Sequence, residues 1–476
     1  MRHLLLSTAA LTAFTLPAAF AVGSVQENVI VLIVDDMGMD LTAAYGFLDS
    51  GGAPLAPSTP NIDRIAQRGI LFRNAWAAPV CSSARAEVLT GRYPNRTGIG
   101  SIVRGGAPGV EGMSADELTL PDILPPSYGS AVIGKWHLAG SGPLGSPTSG
   151  IDHAPRCGFE LHAGSKGNLG GNPISYFDWT MILSQLVDLA ASRTVDLVGE
   201  YATTRTTTDA LRAIADFGER PFLLWVAYNA PHKPYHVPPV ELIQSPDLDF
   251  GTDIGKGHAM IEALDTEIGR LLAGIDSAVL ARTTIILLSD NGTDEDLVQP
   301  PWDPAKVKPT LYNGGVQVPL LVMGGRIPTQ FRGTECERLI DATDIMPTVA
   351  ELIGVPVPGG TDGTSFLSYL GDPNAPAKRR WIFAERFKPN FIPQPGTTIS
   401  QAALTEHDQT ARDTHYKLLR RQRFVNGQST YHELKLFDVQ ADFFETQNLL
   451  DAQGNPPVAL QGVFDTLLGV LDQMAS

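Results

Sequence analysis

A chain of 476 residues can bury a large core and allows one big domain with a smaller companion. Its 51 acidic and 35 basic side chains leave a formal charge of −16, which argues against nucleic acid or anionic membrane as general partners. The apolar fraction of 43% and charged fraction of 18% are those of a globular protein, and no block of like charge forms an interaction tail. At the N-terminus, Arg2 and His3 precede an apolar run from Leu4 that ends in Ala19-Phe20-Ala21. That is the pattern of an export signal over residues 1–21, and Pro17 and the shortness of the run argue against a membrane anchor. No later stretch is apolar enough to span a bilayer, so the expectation is an exported protein, periplasmic or secreted.

Asn28–Asp36 is a near-continuous β-branched run that ends in two adjacent carboxylates, Asp35 and Asp36. It reads as a strand buried on both faces, and two acids at such an end call for a compensating cation. The form recurs. Ser130–His137 delivers Lys135 and His137, Phe222–His232 delivers His232, and Thr283–Asn291 delivers Asp290 and Asn291. Helical patterns lie between, at Thr59–Gly69, Thr206–Gly218 and Met260–Ile275. Alternating strands and helices imply an α/β fold with a parallel sheet, whose ligands bind beyond the carboxyl ends of the strands. A loop with Lys306 and Lys308 leads to a further strand, Val318–Met323, and Asp341–Gly354 reads as a helix. A Pro/Gly/Ala-rich stretch at Gly371–Lys378 marks a boundary. Beyond it, Trp381–Glu385, His415–Arg420 and Leu434–Asp438 read as short strands and Val458–Met474 as an amphipathic helix, a small α+β subdomain packed on the main sheet.

Pro79–Arg92 places Cys81 at the start of a short helix that Ser82 or Ser83 can cap and that Gly91 ends. Backbone N–H groups there favour negative charge on the thiol. Arg85 falls in the first turn, where a cation opposes the dipole, so it is read as serving a site. The other cysteines are Cys157 and Cys336, a candidate disulfide that leaves Cys81 for chemistry. Together the strand ends supply Asp35, Asp36, Asp290 and Asn291 as hard oxygen donors, which suit Ca²⁺, or Mg²⁺, better than zinc. Arg85, Lys135 and Lys308 would hold a tetrahedral oxyanion, with His137 and His232 as acid–base groups.

At this point the chain resembles the sulfatase family of the alkaline-phosphatase-like superfamily. The likeness rests on Cys81, Arg85 and Leu89–Arg92 of the signature, Asp35-Asp36, Gly134–His137, Ala230–Pro234, Ser289–Gly292 and Lys308–Gly315. Asp344–Thr348, Leu436–Asp438 and Glu445–Asn448 match more weakly. The signature departs from the family at Ser83 and Ala84, where Pro and Ser are usual. The resemblance implies an alkaline-phosphatase-like fold with a mostly parallel sheet between helices, a catalytic domain over 28–372 and a C-terminal subdomain over 373–476. It implies that a maturation enzyme oxidises Cys81 to formylglycine, whose hydrate attacks the sulfur of a sulfated small molecule or glycan to give a covalent sulfate. Asp35, Asp36, Asp290, Asn291 and residue 81 would hold the metal, and Arg85 would stabilise the hydrate. Lys135 and Lys308 would bind sulfate, His232 would protonate the leaving alcohol, and His137 would deprotonate the second hydroxyl.

Three rivals stay open at this point. One is a single-metal phosphodiester or phosphonate monoester hydrolase of the same superfamily, and another is an unmodified, inactive sulfate-binding homologue. The third, a cysteine hydrolase using the Cys81 thiolate, leaves the acid cluster unexplained. His153, His162, His236 and His258 are read as surface, loop or substrate-rim residues. Gly140–Asn172, Tyr176, Trp179, His236 and Trp302 line either the rim or the core.

Overall fold

The computed structural model describes residues 27–104, 112–170, 175–393 and 403–475; the expected export signal lies outside them. The main sheet has ten strands, β1 (Asn28–Val34), β2 (Gly69–Trp76), β3 (Gly129–Gly134), β4 (Leu161–Gly164), β5 (Asp178–Gln185), β6 (Asp188–Val198), β7 (Phe222–Ala227), β8 (Thr283–Ser289), β9 (Leu320–Met323) and β10 (Thr334–Asp341). Their order is β10-β2-β9-β8-β1-β7-β3-β4-β5-β6. β1 pairs in parallel with both β7 and β8, β3 pairs in parallel with β7 and β4, and only β5 and β9 run against the rest. The mostly parallel α/β sheet expected from the strand runs is therefore present.

All seven residues of β1 are buried, because the sheet is covered on both faces. Val29, Val31 and Ile33 enter one core and Ile30, Leu32 and Val34 the other, as the period of two requires. The second core is closed by α1 (Pro60–Arg68), α3 (Ala202–Phe217) and α4 (Asp253–Gly274), the first by α2 (Cys81–Thr90) and α5 (Ile345–Ile353). Asp341 ends β10 and caps a 3₁₀ turn, so the helix expected from Asp341 begins at Ile345.

A second, antiparallel sheet follows: β11 (Ile382–Lys388), β12 (Glu406–Arg412), β13 (Tyr416–Val425) and β14 (Gln428–Asp438) in sequence order. One face packs on the terminal helix α6 (Gln461–Ala475) through Phe383, Leu418, Phe464 and Leu471. The other packs Ile382, Leu419 and Phe437 against Trp76, Leu311 and Val316 of the larger unit. The smaller sheet thus buttresses the segment that carries Lys308.

The disulfide expectation is corrected: Cys157 and Cys336 are both free and buried. Cys336 sits on β10 at one edge of the ten-stranded sheet, while Cys157 precedes β4 across the sheet. No helix among the described residues is long and apolar enough to cross a membrane.

Candidate active site

The site forms where β1, β3, β7 and β8 end. Asp35 N–H donates to Ala230 O (3.2 Å) and Asp290 N–H to Val34 O (3.1 Å), so neighbouring strand ends are stitched together just where their side chains turn polar. Asp36 follows with φ of +68° and His137 with +61°, a left-handed backbone that costs a non-glycine residue on the order of 1–3 kcal/mol. Gly134, at the end of β3, makes the turn to Lys135 feasible. It has φ of +92°, and a Cβ there would lie 2.0 Å from Ala227 O.

Cys81 is the first residue of α2 and has no exposed surface. The expected serine cap is absent: Val80 holds the capping position in extended conformation. Ser82 Oγ instead donates to His137 O (2.9 Å) and accepts from Val103 N–H (3.0 Å), while Ser83 Oγ is buried without a partner. Gly91 does end the helix in the left-handed region.

The predicted cations converge. Arg85 is wholly buried, and its Nε and Nη2 both donate to Asp290 Oδ2 (2.9 and 2.7 Å) while Nη1 donates to Lys135 O (3.0 Å). Its place in the first turn, against the dipole, is thus explained by a carboxylate on β8's end. Lys135 Nζ pairs with Asp35, and Lys308 Nζ donates to both oxygens of Asp36 (2.5 and 2.7 Å). His232 Nε2 lies 3.7 Å from Asp36 Oδ2, and its Nδ1–H donates to Lys233 O (2.6 Å). Tyr176 Oη lies within 2.6 Å of the carbonyls of both Asn229 and His232 and clamps this turn. Lys308, His137 and His232 keep a little exposure, so the site opens on their side.

Burial and neighbouring charge set the ionisation. Burial alone would raise Asp36, but Lys308, His232 and Lys135 outweigh it and hold the carboxyl well below the usual range. Burial and then Asp35 push Asp290 up to about 6. Burial likewise raises the Cys81 thiol, so an unmodified Cys81 is not a thiolate at neutral pH, which weighs against the cysteine hydrolase. His137 is held well below its ordinary value by burial and then by Lys135, and His232 falls to about 4, chiefly by burial.

A hard cation fits these residues. Asp35, Cys81 and Asp290 place one ligand atom each within 4.8 Å of one another, and so do Asp35, Asp36 and His232. Asp35 Oδ1 and Asn291 Oδ1 are buried with no hydrogen-bond partner. Each orphan costs about 1–3 kcal/mol, which a divalent ion would offset.

Other residues support the site without having been singled out for it. Glu445 accepts from Asn313 N–H (2.5 Å), and Lys417 lies 2.8 Å from Glu445 Oε1 and donates to Asn313 Oδ1 (3.0 Å), 4.9 Å above the Trp76 ring. This buried group ties the smaller sheet to the Lys308 loop; the faint Glu445–Asn448 motif was its one signal. Trp136 Nε1–H donates to His153 Nδ1 (2.9 Å), whose Nε2–H donates to Met113 O (2.8 Å). His153 and His162 are therefore core residues, not surface or rim ones, and the same holds for Tyr176, Trp179 and Trp302. His236 stacks on Tyr176 with ring centroids 4.4 Å apart.

A parallel sheet whose strand ends gather hard oxygen donors, cations and histidines around one buried side chain defines a hydrolase for esters of a tetrahedral oxyanion. Residues 27–355 match the Sulfatase family, and the chain belongs to it. It is thereby a sulfate ester hydrolase by class. The chain is 28% identical to human arylsulfatase A over 92% of this chain and 86% of that protein. It is 30% identical to the N-acetylgalactosamine-6-sulfatase of Canis lupus familiaris over 73% of this chain and 66% of the relative. Among solved structures, a protein of a glycosaminoglycan-metabolism locus of Bacteroides thetaiotaomicron superposes with a TM-score of 0.70 at 20% identity, covering 93% of this chain and 94% of its own. Another, solved with its substrate D-glucosamine-2-N,6-O-disulfate, gives 0.69 at 19% identity, with 94% and 97% covered. These two likenesses establish the alkaline-phosphatase-like fold expected from the motifs.

Proposed function

We propose that this chain is an exported sulfatase acting through residue 81, converted from cysteine to formylglycine, with a bound Ca²⁺ or, as the alternative, Mg²⁺. The observation that carries the reading is the pair of buried, unpartnered oxygens on Asp35 and Asn291, set beside Cys81 among three cations. Asp35, Asp36, Asp290 and Asn291 would hold the ion next to residue 81, and Arg85 would fix Asp290. The hydrated aldehyde of residue 81, with the ion beside it, would supply an oxygen nucleophile at neutral pH.

The remaining work falls to the side chains. Lys135 and Lys308 would exchange part of their hold on Asp35 and Asp36 for the sulfate oxygens and orient them. His232 would give a proton from Nε2 to the leaving alcohol, its Nδ1–H anchored on Lys233 O. His137 Nδ1, buried without a partner, would take up the proton that residue 81 releases. We place the catalytic domain over residues 28–372 and the subdomain over 373–476. Relatives named for aryl and amino-sugar sulfates support a sulfated small molecule or glycan as substrate.

Two measurements on protein from the native host test this. The mass of the tryptic peptide 74–85 should show an aldehyde in place of the thiol. Aryl sulfate should be turned over in preference to an aryl phosphodiester. An unmodified thiol with no aryl sulfate turnover would overturn the proposal, and a preference for the phosphodiester would favour the rival hydrolase.

A further inference from the structure

A cavity of about 570 Å³ lies against the site, between the loop after α2 and the mouth of the smaller sheet. That is within the roughly 300–1,000 Å³ usual for ligand pockets. Val80, next to Cys81, and Pro309, next to Lys308, both line it. Its two walls are tied to the reacting centre: Val103 N–H donates to Ser82 Oγ (3.0 Å), and Arg386 Nη1 donates to Pro309 O (3.0 Å). The cavity is thus where the part of a substrate beyond its reacting sulfate would lie.

Its charge is one-sided. Among the described residues, Arg104, Arg386 and Lys388 line it and no carboxylate does, in a chain whose formal charge is −16. Glu406 and Asp408 stand behind the wall and aim two of these cations. Glu406 takes Arg386 Nη2 at 2.9 Å and Lys388 Nζ at 2.6 Å, and Asp408 lies 3.4 Å from Arg386 Nη2. Arg386 Nε is shielded from solvent and has no partner. Val80, Ile102 and Pro309 supply an apolar strip between the charges.

We infer that this cavity is a subsite for a second anionic group, so that the substrate favoured by this chain is a glycan carrying another sulfate or carboxylate beyond the ester that is cleaved. The inference rests on the sulfatase reading of the adjoining centre. An uncharged aryl leaving group would take water from Arg104 and the half-exposed Lys388 and give nothing back, which costs more than its contact with the strip returns. A sulfate or carboxylate would meet the Arg104 guanidinium through paired oxygens and the Lys388 ammonium through one. The space exceeds that of a lone anion, and the apolar strip suits a sugar ring face.

Calorimetry on a Cys81→Ala protein, which cannot turn substrate over, tests this with a disulfated disaccharide and its monosulfated counterpart. The disulfated ligand should bind about tenfold or more tightly, the value of one good charged contact. Arg104→Ala with Lys388→Ala should bring the two ligands to nearly equal affinity, with an unchanged thermal midpoint as the control for folding. A Lys388→Glu variant should reverse the preference and serves if the double variant folds poorly. Equal affinities in the parent, or a preference that survives both variants, would overturn the subsite. Sulfate release from the disulfated disaccharide by the native enzyme is measured alongside: turnover without the preference removes the subsite alone. A preference without turnover removes the sulfatase reading and leaves an anion-binding cleft.

Discussion

The Lys417–Glu445 pair offers a prediction whose size follows from the structure. Both side chains are buried, and burial pushes Lys417 from its ordinary 10.5 down to about 8 even with Glu445 2.8 Å away. Glu445→Gln keeps an oxygen for Asn313 N–H but removes the charge facing the ammonium. An ammonium left unpaired can shed its proton, and that escape caps the cost. Each pH unit between the medium and about 8 is about 1.4 kcal/mol. The substitution should therefore cost almost nothing above pH 8, about 1 kcal/mol at pH 7 and about 3 kcal/mol at pH 6 from this source. At lower pH the cost levels off near the ~3–5 kcal/mol of a buried unpaired charge. The sign is fixed because the folded parent holds a proton below pH 8 that the folded variant gives up, so the variant loses ground as pH falls. Urea unfolding followed by tryptophan fluorescence at pH 6, 7 and 8.5 reads the difference, and Lys417→Met in the same background should abolish its pH dependence. A cost equal at the three pH values, or largest at pH 8.5, would refute the reasoning.

Chelation should lower the thermal midpoint and Ca²⁺ should restore it, by about 3 kcal/mol of stability at a hundredfold excess over Kd. Asp290→Asn should blunt that response, and a midpoint indifferent to both Ca²⁺ and Mg²⁺ would remove the donor set proposed here. His232, held near 4, donates from Nε2 only when protonated, so kcat/KM for an aryl sulfate should be highest in acid and decline as pH rises through that value. His232→Gln should lose about 10²–10⁴ in rate together with this limb, and retention of the limb would point to another donor. Thiol titration of unfolded, unreduced enzyme should find two thiols, Cys157 and Cys336, if residue 81 is converted and three if it is not. Fewer than two would mean that a disulfide forms after all.

The strands β1, β7 and β8 were legible because each is buried on both faces and reads as an unbroken apolar run. Their polar ends were legible for the same reason: Asp35-Asp36 and Asp290-Asn291 stand out against such runs. The β5–β6 hairpin was not legible as strands, since β6 lies at the sheet edge with most of its residues exposed and little to distinguish it from a loop. β10 was missed because Glu335, Glu337 and Arg338 interrupt its apolar side. Arg85 announced itself by opposing the helix dipole, though its partner Asp290 is 205 positions away. Asn313, Lys417 and Glu445 gave little notice, because only the packing of one sheet on another brings them together.

Every residue of α2 is buried, from Cys81 to Thr90. A sulfate group needs only a passage the width of one anion, on the side where His137, His232 and Lys308 meet solvent. An enzyme that recognises Cys81 by its sequence neighbours needs far more: Ser82–Arg85 drawn out of a helix and laid in a foreign cleft. The folded chain cannot offer this. If residue 81 is converted as proposed, the oxidation belongs to the interval before strands as late as β8 have closed over α2. On that proposal a molecule that folds first would miss its maturation, and faster folding would then yield less active enzyme.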